Sequence, residues 1–406
     1  MAYTPPKVIL ERYASVLVDF ALGGGQGVQA GEVVRVASSE SAKPLYVELQ
    51  KAVWRAGGHV IGAYVPDDDD RFNLSRDFYE SAAEEQLAFF PGKYMRGLVE
   101  EMDHQVSVIA DSDPHALDGV DPARIMRRGE AMRPMMDWRG EKENAGHFTW
   151  TLGLYGTPAM AAEAKMTEEE YWEQIIHACF LDTEDPVARW REVGARLDEA
   201  RSRLDALDIE RVHVVGDDVD LWVSLGERRR WLGGRGRNIP SFELFTSPDW
   251  RGTEGWIYCN QPLYRYGNLV RGIRLEFSDG RVSSASAEEN ERVLTEMIAT
   301  EGADRIGEFS LTDRRFSRIT RFMAHTLYDE NVGGSFGNTH IAVGRSYQDA
   351  YDGDPSEVSE EQWAELGFNT SSVHTDIVST TDRVVTATLC GGGERVIYEG
   401  GEFKLD

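Results

Sequence analysis

The N-terminal half of the chain alternates between apolar runs typical of buried strands and amphipathic stretches typical of helices. The runs EVVRVASS and HVIGAYV are rich in β-branched residues, and the helical stretch between them is closed by Gly57 and Gly58. QVSVIAD and HFTWTLGLYG repeat the strand signal among further helical stretches. Because consecutive strand, helix and strand imply a right-handed parallel crossover, we predict an α/β, Rossmann-like domain with a doubly wound, mostly parallel sheet over residues 1–207.

The pattern changes after a long amphipathic stretch that ends near Leu207. Thr167 and Glu170 have the spacing of a capping box at the start of an earlier helix. Beyond residue 208 the runs RVHVVGDDVDLWVSL, GIRLEF, RVSSAS, THIAVG, SSVHTDIV and RVVTATL are typical of strands, and Asp-Gly within the SDG turn predicts a tight hairpin. AEENERVLTEMIA predicts a helix among them. We therefore predict a second, α+β domain over residues 208–406, rich in antiparallel strands.

Composition narrows the class of protein. The 406 residues are 41% apolar and 28% charged, which suits two domains with sizeable cores. No apolar run approaches the roughly 20 residues of a membrane helix, and the N-terminus lacks the pattern of a secretory signal, so we expect a cytoplasmic protein with no membrane partner. The net charge of −27 excludes nucleic acid as the default partner, because a phosphate backbone would be repelled.

The three cysteines indicate neither a disulfide framework nor a thiolate metal site. Cys179, Cys259 and Cys390 are odd in number and share no close spacing. We expect each to be a small core residue.

Six candidate functional residues lie in four short phrases of the second domain, FELFTSP, IGEFSL, NTHIAVGRSY and SSVHTDIV. They are Glu243, Glu308, His340, Tyr347, His374 and Asp376. Taken singly, each glutamate is typical of a protein surface and His340 of a packed core. The sequence VHTDI is more informative, because residues two apart in a strand share a face, which puts an imidazole beside a carboxylate.

Bringing these side chains together costs free energy, because the carboxylates repel one another unless something neutralises their charge. Two divalent ions would contribute four positive charges, and the three carboxylates contribute three negative charges. One bridging hydroxide would then bring the net charge of the site to zero. A single ion would leave the site anionic. The charge count therefore favours two metal ions, and the mixed oxygen and nitrogen ligands suit Zn²⁺, Co²⁺ or Mn²⁺.

The four phrases also carry a family resemblance. Together with GGRGRNIP, YRYGNLVRGIRLEFSDGRV and LYDEN, they resemble the thermophilic-type metallo-aminopeptidases, aminopeptidase T and aminopeptidase S, from about His213 to the end of the chain. In that family the residues matching all six candidates surround a pair of divalent metals. The resemblance implies a homodimer that hydrolyses short peptides. The glycine-rich VGGSFGN ahead of Thr339 departs from the family pattern, and we expect the protein to differ from its relatives there.

For such a metal pair, our hypothesis is a mechanism in which a metal-bridging hydroxide attacks the first peptide carbonyl. Tyr347 would donate a hydrogen bond to the oxyanion. Its alternative role is packing beneath the site. Glu243 or Glu308 would carry the proton to the leaving amine, and the sequence leaves the choice between them open.

Two other functions compete with the aminopeptidase. His340, His374 and Asp376 alone make the facial triad of a non-haem Fe(II) enzyme, such as the ring-cleaving dioxygenases that share this family's fold. Such a triad has no need of Glu243 and Glu308. A non-catalytic protein that binds metal or peptide is the second alternative.

Overall fold

The computed structural model describes residues 3–69, 71–117, 119–233, 236–265 and 268–405. The chain divides into two compact units, residues 1–191 with 235–239, and residues 192–234 with 240–406. The division falls within a long helix, whereas the domain boundary predicted near residue 208 follows that helix and stays a prediction. Within the described ranges, no helix combines the length and apolar character needed to cross a membrane. Gly234, Arg235, Tyr266 and Gly267, which belong to the family phrases, lie outside these ranges.

The first unit is built on a four-stranded parallel sheet, as predicted. Its strands are β1 (Val33–Ser39), β2 (His59–Val65), β3 (His104–Ile109) and β4 (Thr149–Leu154). They lie in the order β2-β1-β3-β4 with every pair parallel. The order reverses direction at β1, which is the topology of a doubly wound sheet.

Helices connect these strands and continue beyond them. They are α1 (Lys7–Val16), α2 (Lys43–Arg55), α3 (Leu74–Ser81), α4 (Glu84–Leu87), α5 (Gly92–Glu101), α6 (Pro122–Asn144), α7 (Pro158–Glu163), α8 (Glu168–Ala178) and α9 (Pro186–Asp205). Helix α2 ends where predicted, because Gly57 takes a φ of +83° that few other residues adopt. The capping box of α8 is also present, with Thr167 Oγ1 accepting from Glu170 N at 3.2 Å.

The second unit contains an eight-stranded antiparallel sheet. In the order β12-β11-β8-β6-β5-β16-β17-β18, its strands are β12 (Arg281–Ser286), β11 (Ile273–Ser278), β8 (Glu254–Cys259), β6 (Val219–Ser224), β5 (Ile209–Gly216), β16 (Val384–Leu389), β17 (Glu394–Glu399) and β18 (Glu402–Phe403). The predicted hairpin joins β11 to β12. Asp279 and Gly280 take φ angles of 52° and 75°, which a tight two-residue turn requires.

A second antiparallel sheet of this unit has the order β15-β14-β13-β7. Its strands are β7 (Glu243–Thr246), β13 (Ile306–Thr312), β14 (Asn338–Gly344) and β15 (His374–Ser379), beside a small ribbon of β9 (Leu263–Arg265) and β10 (Asn268–Val270). The helices are α10 (Glu291–Ile298), α11 (Thr326–Asp329) and α12 (Glu360–Glu365). Every residue of β13 and β14 is buried, so the polar side chains on these central strands need partners within the protein.

The cysteine prediction is correct for two residues and wrong for the third. Cys179 and Cys259 are buried, whereas Cys390 is exposed in the turn between β16 and β17. A turn at the end of a hairpin has no core to bury it.

Candidate metal centre

Strand register brings five of the six predicted residues to one face of the four-stranded sheet. On the central strand β14, His340 lies opposite Ser310 of β13, and Ala342 lies between Glu308 and Asp376. The remaining pairs are Gly344 with His374 and Thr312 with Glu243. Because alternate residues of a strand share a face, all five side chains project from the same side.

A β-bulge at Gly307 sets the register of Glu308. The pairing with β14 shifts between Ile306 and Glu308, which leaves Gly307 as the extra residue. A Cβ atom at Gly307 would come within 2.3 Å of the backbone oxygen of Arg345. Only glycine allows the two backbones to approach this closely, so the bulge that positions Glu308 requires glycine at position 307.

The side chains form a continuous cluster around Glu308. Its Oε1 lies 3.3 Å from Nε2 of His340, and its Oε2 lies 3.6 Å from Nε2 of His374. His340 Nε2 is also 3.0 Å from Oε2 of Glu243, and His374 Nε2 is 3.5 Å from Oδ1 of Asp376. The side chains of Glu243, Glu308 and His340 are at most 8% exposed, against 10% for Asp376 and 23% for His374.

The cluster divides into two possible cation sites. Within the described residues, the ligand atoms of Glu243, Glu308 and His340 lie within 4.8 Å of one another, and so do those of Glu308, His374 and Asp376. Glu308 belongs to both groups. Its two oxygens face different histidines, which is the arrangement expected of a carboxylate shared between two ions.

The electrostatics of both histidines reflect an excess of negative charge. Burial alone would lower the pKa of His340, but its hydrogen bonds with Glu243 and Glu308 raise the pKa well above its usual range. Burial opposes the same shift at His374, where the charge of Asp376 prevails and raises the pKa to about 9. Protons on the two imidazoles thus neutralise part of the charge that divalent cations would neutralise.

The carboxylates respond in opposite directions. Burial raises the pKa of Glu308 to about 7, and the charge of Glu243 adds to this shift. Burial would also raise the pKa of Asp376, but the neighbouring His374 lowers it to about 2. Of these two carboxylates, Glu308 is therefore the less stable as an anion when no cation lies beside it.

Hydrogen bonds to neighbouring groups orient the candidate ligands, and these partners were not singled out from the sequence. Ser310 donates to Oε2 of Glu243 at 2.9 Å. His340 Nδ1 lies 3.2 Å from Oδ1 of Asn338, and His374 Nδ1 lies 2.8 Å from the carbonyl oxygen of Arg345. Each histidine thereby presents Nε2 to the cluster. Ser310 and Asn338 each stand two residues from a candidate ligand on one strand, a spacing that could have identified them.

Tyr347 lies beside the cluster on the segment after β14. Its ring meets the ring of His374 edge-on, with centroids 4.8 Å apart, and the ring of Phe245 is 5.7 Å away on another side. Its backbone N–H donates to Ser247 Oγ at 2.8 Å. These contacts place the tyrosine next to the second ligand group.

A further carboxylate, Glu330, was also missed, although it belongs to the quoted LYDEN phrase. The residue is 6% exposed, and together with Asp376 it lines a small pocket. Burial raises its pKa well above the usual range, and the charges of Glu243 and Asp376 raise it further. Sequence reasoning had no signal for it, because only the fold brings it to the ligand cluster.

Comparison with known proteins identifies the family. Residues 7–403 match the sequence profile described as thermophilic metalloprotease (M29). The chain belongs to this family. It is therefore a peptide hydrolase of a class that depends on divalent metal, and the predicted resemblance is confirmed.

Individual relatives match along nearly their whole length. Aminopeptidase T of Thermus thermophilus is 30% identical over 410 residues, covering 95% of this chain and 96% of its own. Aminopeptidase PepS of Streptococcus thermophilus is 27% identical, with 98% of each chain covered.

Solved structures give the same result for the fold. Wild-type AmpT from Thermus thermophilus superposes with a TM-score of 0.82 at 27% identity, covering 98% of this chain and 99% of that one. A 2,5-dihydroxypyridine dioxygenase from Pseudomonas putida reaches a TM-score of 0.50 at 14% identity, covering 98% and 96%. At that identity the second likeness concerns the fold alone.

Proposed function

We propose that this M29 protein is a dinuclear metallo-aminopeptidase that removes the N-terminal residue from short peptides. The observation that carries the proposal is the position of Glu308, whose two oxygens face His340 and His374 in two separate ligand groups. A single cation has no need of a carboxylate divided in this way. The names of the relatives, aminopeptidase T and aminopeptidase PepS, support N-terminal cleavage.

The donor set fits two divalent ions. Each group offers one imidazole nitrogen and carboxylate oxygens, a mixture that suits Zn²⁺, Co²⁺ or Mn²⁺. Glu308 and its neighbours crowd negative charge into a buried site, which explains the raised pKa values of both histidines. Divalent cations would relieve this crowding more fully than protons do.

Glu243, Glu308 and His340 would hold one ion and Glu308, His374 and Asp376 the other, and the bound pair would supply a Lewis acid for the scissile carbonyl and a hydroxide nucleophile. Tyr347 is positioned by its contacts with His374 and Phe245, and we assign it the hydrogen bond to the developing oxyanion. Glu308 directs both oxygens to the histidines. Oε2 of Glu243 faces His340 and accepts from Ser310, so we assign Oε2 as its ligand atom and Oε1 as the atom that carries a proton to the leaving amine.

The same geometry argues against the iron alternative. A facial triad of His340, His374 and Asp376 requires the three side chains to converge on one ion. Here the two histidines belong to different ligand groups, each completed by glutamate. Of the two glutamates that a triad does not need, Glu308 belongs to both groups and Glu243 belongs to the first.

Purified protein assayed with chromogenic aminoacyl substrates tests the function. We expect release of free amino acid that requires Co²⁺, Zn²⁺ or Mn²⁺ and stops with a chelator, and metal analysis should find two ions per chain. One ion per chain would refute the dinuclear site. Oxygen uptake with Fe(II) would replace the peptidase by the dioxygenase, and metal binding without any turnover would support the non-catalytic alternative.

The family resemblance also supports a homodimer. Light scattering on the purified protein would distinguish a dimer from the 45.6 kDa chain. A monomer that retains full activity would show that catalysis does not require the dimer.

A further inference from the structure

Tyr347 lies outside the strands that position the five candidate ligands, and its backbone is held by other contacts. Strand β14 ends three residues earlier, at Gly344. The backbone N–H groups of Arg345 and Ser346 donate to carbonyl oxygens of the segment ahead of β15, at 2.7 and 2.9 Å. The N–H of Tyr347 has a different kind of partner, the side chain of Ser247, which accepts at 2.8 Å. A single hydroxyl group, 100 residues earlier in the chain, therefore holds the backbone of the tyrosine.

Ser247 follows directly after β7, the strand that carries a candidate ligand, and it is fully buried. Residues at alternate positions of a strand share a face, and Ser247 continues the alternation of Glu243 and Phe245 one step beyond the strand. The Phe245 ring also contacts the ring of Tyr347, with 5.7 Å between their centroids. One short stretch of chain thus supplies a candidate ligand, a ring beside the phenol and the acceptor for the N–H of the tyrosine.

Ser247 is itself fixed by a partly buried arginine. Its carbonyl oxygen accepts from Arg229 Nε at 2.6 Å, and Nη2 of the same guanidinium donates to the carbonyl oxygen of Leu366 at 2.6 Å. The guanidinium carbon lies 3.7 Å from the centre of the Phe368 ring. Burial lowers the pKa of Arg229 to about 10, so the guanidinium stays protonated at neutral pH. A hydroxyl group anchored in this way offers its partner one defined position.

Both partners of this hydrogen bond are anchored to the same hydrophobic cluster. Ala350, whose N–H donates to the carbonyl oxygen of Tyr347 at 3.1 Å, is buried in that cluster together with Phe368. Phe368 is the ring that Arg229 covers, and Phe245 also packs against the cluster. The serine and the tyrosine therefore share one packed support, and the hydrogen bond joins them at the point where the phenol side chain leaves the backbone.

We propose that Ser247 is a positioning residue for the reaction: by accepting from the N–H of Tyr347, its hydroxyl group holds the phenol where the oxyanion develops. The proposal rests on the aminopeptidase function and on the role assigned to Tyr347. Removing the hydroxyl group would leave a backbone donor without its acceptor, so the segment would shift toward another partner. A displacement of about 1 Å can lower the rate by up to about a hundredfold, because catalysis depends on the placement of the donor.

A double-mutant cycle on kcat tests whether Ser247 acts through the phenol. The proteins are the wild type, Ser247→Ala, Tyr347→Phe and the variant that combines both changes, assayed with one chromogenic aminoacyl substrate and the activating ion. Ser284→Ala, which removes the hydroxyl group of an exposed serine on β12, is the matched control. Metal analysis and denaturant unfolding of each protein show directly whether a change in kcat comes with a loss of metal or of stability.

We expect Ser247→Ala to lower kcat by about tenfold, and by no more than Tyr347→Phe does, while KM stays within about twofold of wild type and two ions remain bound. In the Tyr347→Phe protein the phenolic hydroxyl group is already absent. Adding Ser247→Ala there should therefore lower kcat by less than about twofold. Ser247→Thr keeps a hydroxyl acceptor and should restore most of the lost kcat. Ser284→Ala should match the wild type.

Three results of the cycle would overturn the proposal. Unchanged kcat in Ser247→Ala would show that the hydroxyl group has no part in the reaction. Equal losses from Ser247→Ala with and without the phenolic hydroxyl group would show that the serine does not act through Tyr347. Loss of metal in Ser247→Ala would show that the substitution disturbs Glu243 on the preceding strand instead.

Hydrogen exchange of the wild type needs no variant, in case Ser247→Ala does not fold. The Tyr347 amide should exchange at least about a hundredfold more slowly than an unstructured amide, because a buried hydroxyl group binds its N–H. Exchange at the unstructured rate would contradict the contact on which the proposal depends. Failure of the aminopeptidase function itself would show separately, as absence of metal-dependent amino-acid release by the wild type.

Discussion

Each unit of the protein contains a buried histidine beside carboxylate, with different consequences. In the parallel sheet of the first unit, His104 Nε2 lies 2.8 Å from Oε2 of Glu32, and its Nδ1 lies 2.8 Å from Oγ1 of Thr149. In the antiparallel sheet of the second unit, His340 Nε2 is shared by Glu243 and Glu308. The first histidine has one carboxylate and one neutral partner, whereas the second stands between two carboxylates.

The difference lies in the balance of charge. The side chain of Glu32 is 32% exposed, so water screens its charge, and a single imidazole is a sufficient partner for the carboxylate. The second cluster buries three carboxylates against two imidazoles and retains a negative excess. A buried histidine with a carboxylate partner is thus structural when the charges of the neighbouring side chains balance one another. It indicates a cation site when they do not.

Replacing the shared carboxylate should have the largest effect. Glu308→Gln removes a ligand from both groups, so we expect metal content to fall from two ions per chain to one or fewer. The rate of peptide hydrolysis should fall by roughly a thousandfold, since the metals supply several kcal/mol of transition-state stabilisation. Metal analysis and kcat with a chromogenic substrate measure both. Two ions and wild-type turnover in this variant would contradict the role of Glu308.

Proton competition should have the next largest effect. The pKa of His374 is about 9 when its neighbours are side chains alone, so below that pH a metal ion must displace a proton from it. Apparent metal affinity should rise with pH, about tenfold per unit from this histidine, and level off above the pKa. Between pH 8 and pH 6 the loss should therefore be about a hundredfold.

Competition with a chelator indicator, whose own protonation is corrected for, measures this dependence. The raised pKa of His340 adds to the slope in the same direction. A metal affinity that does not change across this range would mean that His340 and His374 are already neutral before metal binds. The environments of His104 and His340 would then not differ in charge.

The tyrosine beside His374 should have a smaller effect. Tyr347→Phe retains the ring that contacts His374 and Phe245, and removes only the hydroxyl group. We expect kcat to fall by about tenfold or more while metal content stays at two, because loss of one oxyanion donor raises the barrier. Unchanged kcat would leave Tyr347 with a packing role only.

The structural histidine should have the smallest effect. Glu32→Gln leaves His104 with a neutral partner, and we expect a loss of about 1 kcal/mol in the free energy of unfolding. Metal content and kcat should stay at wild-type values. Denaturant unfolding and the chromogenic assay test both expectations, and lost metal would show that the two histidine environments are not independent.

Much of the fold followed from the sequence because its signals are local. The β-branched runs predicted β1 to β4, Gly57 marked the end of α2, and Asp279 with Gly280 predicted the hairpin. The candidate ligands followed in part from the spacing of His374 and Asp376 and in part from family phrases. Glu330 could not be found in this way, since nothing in its local pattern distinguishes a buried glutamate after a short helix from an exposed one.

The sequence by itself determined which chemical groups this protein possesses: three carboxylates, two imidazoles and a phenol on strands and on the segment that follows one, with a charge sum that favours two ions. Only the tertiary structure decided which of these groups lie together in each of the two candidate cation sites. Register across four strands and the bulge at Gly307 place Glu308 between the histidines, and a turn held by Asp329 brings Glu330 to a pocket that Asp376 also lines. These relations join residues far apart in the chain, so they depend on packing and backbone geometry that no local pattern encodes.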